Sequence, residues 1–173
     1  MDKKSARKSG LQNRSFISKD VRIQKNREIT NRAISLITAD DIVGCYVSMK
    51  DEADTHQIIR YCFDHGIPLA VPKVVDNTLQ FHRICSFDQL KEGTFGVSEP
   101  IVSCPVAVYD ITLMFVPLSS YDDACHRTGY GKGYYDSVLN ECGRKIGLAY
   151  SEQKMESIET DPWDVILDEI IAA

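Results

Sequence analysis

What this chain lacks narrows it first. It has no CxxC pair: its six cysteines stand at 45, 62, 85, 104, 125 and 142. That is too scattered for a zinc knuckle, and several fall in apolar runs where a free thiol acts as a small hydrophobe of a reducing compartment. No apolar run approaches the roughly 20 residues of a membrane span, and the polar N-terminus has no signal-peptide core. There is no internal repeat, no low-complexity segment and no linker long enough to separate domains. Two phosphate-binding signatures are also missing, the GxxxxGK[ST] loop and the GxGxxG fingerprint. With only 10 Gly and 6 Pro in 173 residues and 43% hydrophobic content, disorder is excluded and one globular domain over 1–173 is expected.

Charge is unevenly spread. Residues 1–32 carry 10 Lys+Arg against 3 Asp+Glu, a balance of +7, which leaves −12 for the remainder of a chain whose net charge is −5. Such an acid-poor start fits a basic arm for nucleic acid or an organelle transit peptide, but no aromatic residue is interleaved beyond Phe16. A helical reading explains more: Val21, Ile29, Ala33, Leu36 and Ile37 recur on one face, with Ser18 placed to cap it. Residues 1–38 then form a basic helical segment packed on the domain.

The rest alternates between strand and helix signals. Residues 42–48 (IVGCYVS) read as a short buried strand and 49–55 as a polar loop ending in an N-cap at Thr55. A helix follows through Ile58, Ile59, Tyr61, Cys62 and Phe63, and 68–75 (PLAVPKVV) is a second buried strand. This β-α-β unit implies parallel strands. Residues 79–84 alternate like a half-exposed strand, 86–105 are turn-rich, 111–116 are a third buried strand, 134–142 a helix, 145–150 a fourth strand and 165–171 a last one. The fold class expected is α/β, an open, mostly parallel sheet flanked by helices.

Between the third strand and the helix expected after it lies RTGYGKGYYD, Arg127 to Asp136. Gly129, Gly131 and Gly133 let successive N–H groups turn toward one anion, and Arg127 and Lys132 add positive charge, so the stretch reads as a polyphosphate cradle. In open α/β sheets ligands gather beyond the C-terminal strand ends. The loop carrying Glu52 and the cradle both fall there, with Lys73 near the end of the second strand. Taken singly, Glu52 also reads as a solvated acid, Lys73 as a rim lysine and Asp164 as a strand start.

Seven stretches in one order carry a resemblance: KKSAR at 3–7, YVSMKDEADT at 46–55, VPK at 71–73, GVSEP at 96–100, FVPLSSYDDACHRTGYGKGYYD at 115–136, IGLAYSEQ at 146–153 and DVILDEII at 164–171. Together they resemble the 5-formyltetrahydrofolate cyclo-ligases, or methenyltetrahydrofolate synthetases, over nearly the whole chain. The resemblance implies ATP-dependent closure of 5-formyltetrahydrofolate to 5,10-methenyltetrahydrofolate through a phosphorylated formyl group, with Mg²⁺ required and ADP and phosphate released. It implies nucleotide contacts at Lys3, Lys4 and Arg7 and a phosphate loop at Arg127, Thr128, Gly129, Tyr130, Gly131, Lys132, Gly133, Tyr134 and Tyr135. Folate contacts follow at Val47 and Glu52, with residues 130–134 shared between both substrates, and Mg²⁺ ligands at Asp136 and Asp164. Arg127, Lys132 and Tyr134 are then the catalytic side chains. A cytoplasmic monomer acting on small molecules, without nucleic acid or membrane, is the matching expectation. A catalytically weak folate- or nucleotide-binding protein of the same fold is the alternative.

The chain departs from that family pattern in places. Glycines are usual where it has Leu118, Ser120 and Cys125, a leucine where it has Thr128, and an arginine where it has Ser137. The family usually has a threonine or an acid near the end, where this chain reads IIAA. These changes bear on loop geometry and turnover rather than on the fold.

Overall fold

The computed structural model describes residues 1–173. The chain opens with α1 (Lys3–Ser15) and α2 (Lys19–Ser35), continues through β1 (Val43–Cys45), α3 (His56–Asp64), β2 (Leu69–Val75) and β3 (Thr78–Ile84), then forms a small hairpin of β4 (Leu90–Glu92) and β5 (Ser98–Pro100). β6 (Pro105–Val106), β7 (Leu113–Val116), a second hairpin of β8 (Ser120–Tyr121) and β9 (Arg127–Thr128), β10 (Arg144–Ala149) and β11 (Glu169–Ala172) complete it.

Seven strands make the main sheet in the order β11-β10-β7-β1-β2-β3-β6. Its centre is parallel, β1 pairing with both β2 and β7 and β10 with both β7 and β11. β3 and β6 add an antiparallel edge. The chain leaves β1 toward β2 on one side and returns in β7 on the other, so a crevice opens between the loops that follow β1 and β7.

Burial on both faces explains the continuous apolar runs of the central strands. In β7, Leu113 and Phe115 join the cluster that holds Ile29 and Ala33 of α2 and Ile58, Ile59 and Cys62 of α3. Met114 and Val116 point the other way, into a cluster with Val138, Leu139, Val165 and Leu167. Burying one such side chain contributes about 2 kcal/mol, so this two-faced core fixes the sheet register.

Four expectations change here. Residues 134–142 keep a helical spacing of apolar residues but fold as successive turns: Ser137 and Leu139 N–H groups bond four residues back and those of Val138 and Glu141 three back. The Ser137 hydroxyl bonding the Tyr134 carbonyl at 2.7 Å competes with a regular ladder. The strand at 111–116 feeds the β8–β9 hairpin before it reaches the glycines. Val21 is 41% exposed, because α2 buries only Ile29, Thr30 and Ala33 in its second half. Thr55 precedes α3 but its hydroxyl turns inward, donating to the Tyr46 carbonyl at 2.7 Å and accepting from Ser48 N–H, while the Asp54 carboxylate takes the His56 N–H.

α1 is held against the body of the protein rather than left as a free arm. Ala6 is buried with Met155 and Ile158, and the Glu159 N–H donates to the Met1 carbonyl. Gly10 allows the close approach: a Cβ there would collide with the Ser119 carbonyl oxygen. No helix is long and apolar enough to cross a membrane.

Candidate active site

The crevice between the loops after β1 and β7 is a cleft of about 720 Å³. Every site residue expected from the sequence lines it except Lys4, which is exposed on the outer side of α1. Lys73 does not line it either. Strand alternation turns Pro72 and Val74 into the cleft and Lys73 away from it.

The glycine loop is shaped by its neighbours. Gly131 has φ +92° and Gly133 φ +70°, as a cradle requires, whereas Gly129 keeps an ordinary φ. The Gly129 carbonyl is clamped instead, accepting from Arg7 Nε at 2.6 Å and from the Ser119 hydroxyl at 2.9 Å. A Cβ on Gly131 would sit 3.4 Å from the Arg7 guanidinium, so glycine lets that cation lie along the loop.

Charges are arranged in two kinds. Arg127, whose side chain is 5% exposed, donates from Nη2 to Asp136 Oδ1 at 2.9 Å; burial pulls the guanidinium pKa down while Asp136 opposes it. Lys3 Nζ reaches both oxygens of Asp164, at 2.9 and 2.8 Å, and also pairs with Asp161. Burial works against ionisation of Asp164, but the Asp161 N–H and Lys3 outweigh it and hold the carboxyl below its usual value. Arg7 and Lys132 have no carboxylate partner. Lys132 lies 5.6 Å from the ring centroid of Phe95, an exposed aromatic that also lines the cleft.

Asp136 and Asp164 meet on one wall, since the Val165 N–H donates to Asp136 Oδ1 at 3.3 Å. Two hard carboxylates beside the glycine loop suit Mg²⁺, which takes one or two protein carboxylates and fills its octahedron with other oxygens. No third acid, His or Cys joins them into a complete protein cage.

On the β1 side, Glu52 Oε2 accepts from the Met49 N–H at 3.0 Å, and Oε1 accepts from the Tyr130 hydroxyl at 2.5 Å. Burial raises the Glu52 pKa, against the opposing Tyr130 and Met49 hydrogen bonds and the charge of Arg14. Val47 is buried just upstream, 3% exposed.

Against this geometry stands the family comparison. The model of the 5-formyltetrahydrofolate cyclo-ligase family matches residues 1–173. The chain belongs to that family. It is 30% identical over 181 residues to the 5-formyltetrahydrofolate cyclo-ligase of Mycoplasma pneumoniae, an alignment covering 99% of this chain and 98% of the relative. Among solved structures it is similar to the 5,10-methenyltetrahydrofolate synthetase of Aquifex aeolicus, with TM-score 0.88 and 31% identity over 98% of this chain and 89% of the other. The Mycoplasma pneumoniae 5,10-methenyltetrahydrofolate synthetase gives TM-score 0.80 at 27% identity, covering 99% and 98%. Membership makes the chain an enzyme of the ligase class.

Within this cyclo-ligase the departures from the usual loop have local answers. Ser120 and Thr128 face each other across the β8–β9 hairpin, and their hydroxyls lie 2.5 Å apart, with Ser119 bonding the same Thr128 hydroxyl at 3.0 Å. Two substitutions therefore satisfy one another. Leu118 is buried against Gly147, and Cys125 sits at φ +61°, a conformation that suits glycine better.

Sequence reasoning missed Phe95, Trp163 and Arg14. Phe95 lay in a stretch read only as turns, and Trp163 directly precedes Asp164. Arg14 had a signal: residues 3, 7, 10 and 14 step by four, three and four, so they share one stripe of α1.

Proposed function

We propose that the enzyme cyclises 5-formyltetrahydrofolate to 5,10-methenyltetrahydrofolate with hydrolysis of ATP to ADP and phosphate, using Mg²⁺. The observation that carries this is the pairing of two unneutralised cations, Arg7 and Lys132, with a glycine cradle and two adjacent carboxylates in the cleft that also holds Glu52. A triphosphate needs the first group, a divalent cation the second, and a pterin edge with paired N–H donors the third.

A formamide oxygen is a poor leaving group. Transfer of the γ-phosphoryl to that oxygen makes it a good one: the P–O bond to ADP breaks and a new P–O bond forms. N10 then attacks the formyl carbon and loses its proton, and phosphate departs with the C–O bond. The chain's part is positioning and charge. Lys132 and Arg7 hold the phosphates, with Lys3 contacting the nucleotide once its pairing with Asp164 is exchanged. Arg127 stabilises the transferring group and keeps Asp136 in place. Thr128 and Tyr135 shape the loop, while Tyr130, Gly131, Gly133 and Tyr134 bound the space where phosphoryl passes from one substrate to the other. Val47 and Glu52 receive the pterin, Glu52 accepting from its N–H edge. Mg²⁺ held by Asp136 and Asp164 would neutralise charge on the phosphates. No side-chain nucleophile is required.

The proposal extends to a cytoplasmic monomer working on small molecules; six free thiols, three of them at least partly exposed, suit a reducing compartment. The test is ADP and phosphate release measured with and without 5-formyltetrahydrofolate. Release that requires the folate supports coupled phosphoryl transfer. Equal release in its absence refutes it.

A further inference from the structure

α1 presents a third basic residue to the site that faces neither the phosphates nor the solvent. Arg14 is 5% exposed and lies at the base of the folate loop. Its Nη2 donates to the Tyr130 hydroxyl oxygen at 3.3 Å and pairs with Asp51 Oδ1 at 2.9 Å. Tyr130 in turn donates to Glu52 Oε1 at 2.5 Å, and the other Glu52 oxygen takes the Met49 N–H. Each group in this row therefore has its direction fixed: a cation that can only donate forces the tyrosine to donate onward, and the carboxylate receives at both oxygens. The Arg14 Nε–H is buried without a partner. A leucine or methionine would fill such a position without burying an unpaired donor, so packing alone does not account for an arginine.

We propose that Arg14 is a positioning residue for folate, acting through Tyr130 to keep the Glu52 carboxylate ionised and aimed at the pterin, and tying the helix that carries the nucleotide contacts to the loop that carries the folate contact. The proposal rests on the folate role of Glu52 given above. The groups facing Glu52 are few: Arg14 from α1, Tyr130 and Tyr135 from the glycine loop, Asp51 beside it in its own loop, and Tyr46 at the end of β1. Among these Arg14 is the one cation. Burial, and to a lesser degree Asp51, favours the protonated acid, which is how the Glu52 pKa comes to lie above its usual value. Removal of Arg14 leaves those two influences with only the Tyr130 and Met49 hydrogen bonds against them, so protonation of Glu52 begins at higher pH. The same change frees the Tyr130 hydroxyl to rotate.

The experiment is steady-state kinetics of Arg14→Met and Arg14→Lys between acid and neutral pH, varying folate and ATP separately and recording melting temperature for each protein. Arg14→Met is expected to raise folate KM about tenfold at the acidic end and less toward neutral pH, since losing a charged hydrogen bond is worth about that factor, with ATP KM nearly unchanged. Arg14→Lys, which keeps the charge, should return the pH profile toward the parent while leaving a smaller, pH-independent rise. A Met variant that melts lower yet keeps the parent's folate pH profile overturns the proposal, as does a Lys variant displaced as far as Met. If Met does not fold, the Lys profile decides alone: displacement of its acid limb counts against the proposal and an unshifted limb supports it. An unsubstituted enzyme that shows no folate-dependent turnover instead refutes the function assigned to the site, which is a separate outcome.

Discussion

Asp136 does two jobs that a substitution cannot separate. It is a carboxylate on the cleft wall, and it is the partner of Arg127, whose side chain is 5% exposed. Asp136→Asn should abolish most turnover and also lower stability by about 2 kcal/mol, because breaking a largely buried pair leaves the cation uncompensated. Turnover at limiting Mg²⁺ and a melting curve check both; parent-like turnover removes the metal role. In the proposed function Glu52 serves the other substrate. Glu52→Gln should raise folate KM well above any change in ATP KM, and should flatten the pH dependence of folate KM expected of the parent. The sign follows from the ionised form being the binding form: burial raises the Glu52 pKa above its usual 4.5, so acidification protonates it early and folate KM climbs as pH falls. Equal effects on both substrates take Glu52 out of the folate pocket.

Among the elements, α1 is the one whose meaning the sequence only half disclosed. Its charge and the four-residue step from Lys3 to Arg7 were legible, because helical spacing alone puts both on one stripe. That residues 1–38 pack on the domain was expected as well, but the place of docking was not legible, since that depends on Gly10 meeting the Ser119 carbonyl of a hairpin more than a hundred residues away. Gly10→Ala should push α1 off the β8–β9 hairpin, costing about 2 kcal/mol by overpacking and raising KM for both substrates, because Lys3, Arg7 and Arg14 move together. Unchanged KM values alongside a lower melting temperature would confine Gly10 to stability. The β-α-β unit of 42–75 was readable for the opposite reason: continuous apolar runs, a polar loop and the apolar face of the helix between them are local signals. The turns of 134–142 were not. Their apolar spacing is helical, but Val138 and Leu139 pack on the sheet without needing a regular ladder. The hairpins of β4–β5 and β8–β9 escaped as well, being strands of two or three residues whose pairing is set by tertiary contact.

At the scale of the whole molecule, the sheet brings to one crevice residues that the chain keeps far apart: Lys3 and Arg7, Glu52, the glycine loop, and Asp164. The strand-end rule pointed to that crevice from sequence, and the resemblance supplied the chemistry proposed for it. Deleting Met1 to Lys8 tests how far the assembly depends on its first helix. Because Ala6 is buried against Met155 and Ile158 while Lys3 and Arg7 line the cleft, melting temperature should fall and ATP KM should rise together. A truncated enzyme with parent values for both contradicts the arrangement. The central claim, that this cleft closes a formyl group onto a neighbouring amine, is met most directly by following the absorbance of the methenyl chromophore with purified enzyme, 5-formyltetrahydrofolate, ATP and Mg²⁺. The account predicts that the chromophore accumulates only when all three are present, at a rate proportional to enzyme. No chromophore from a folded enzyme that binds both substrates would contradict it, and would leave a folate- and nucleotide-binding protein in place of a cyclo-ligase.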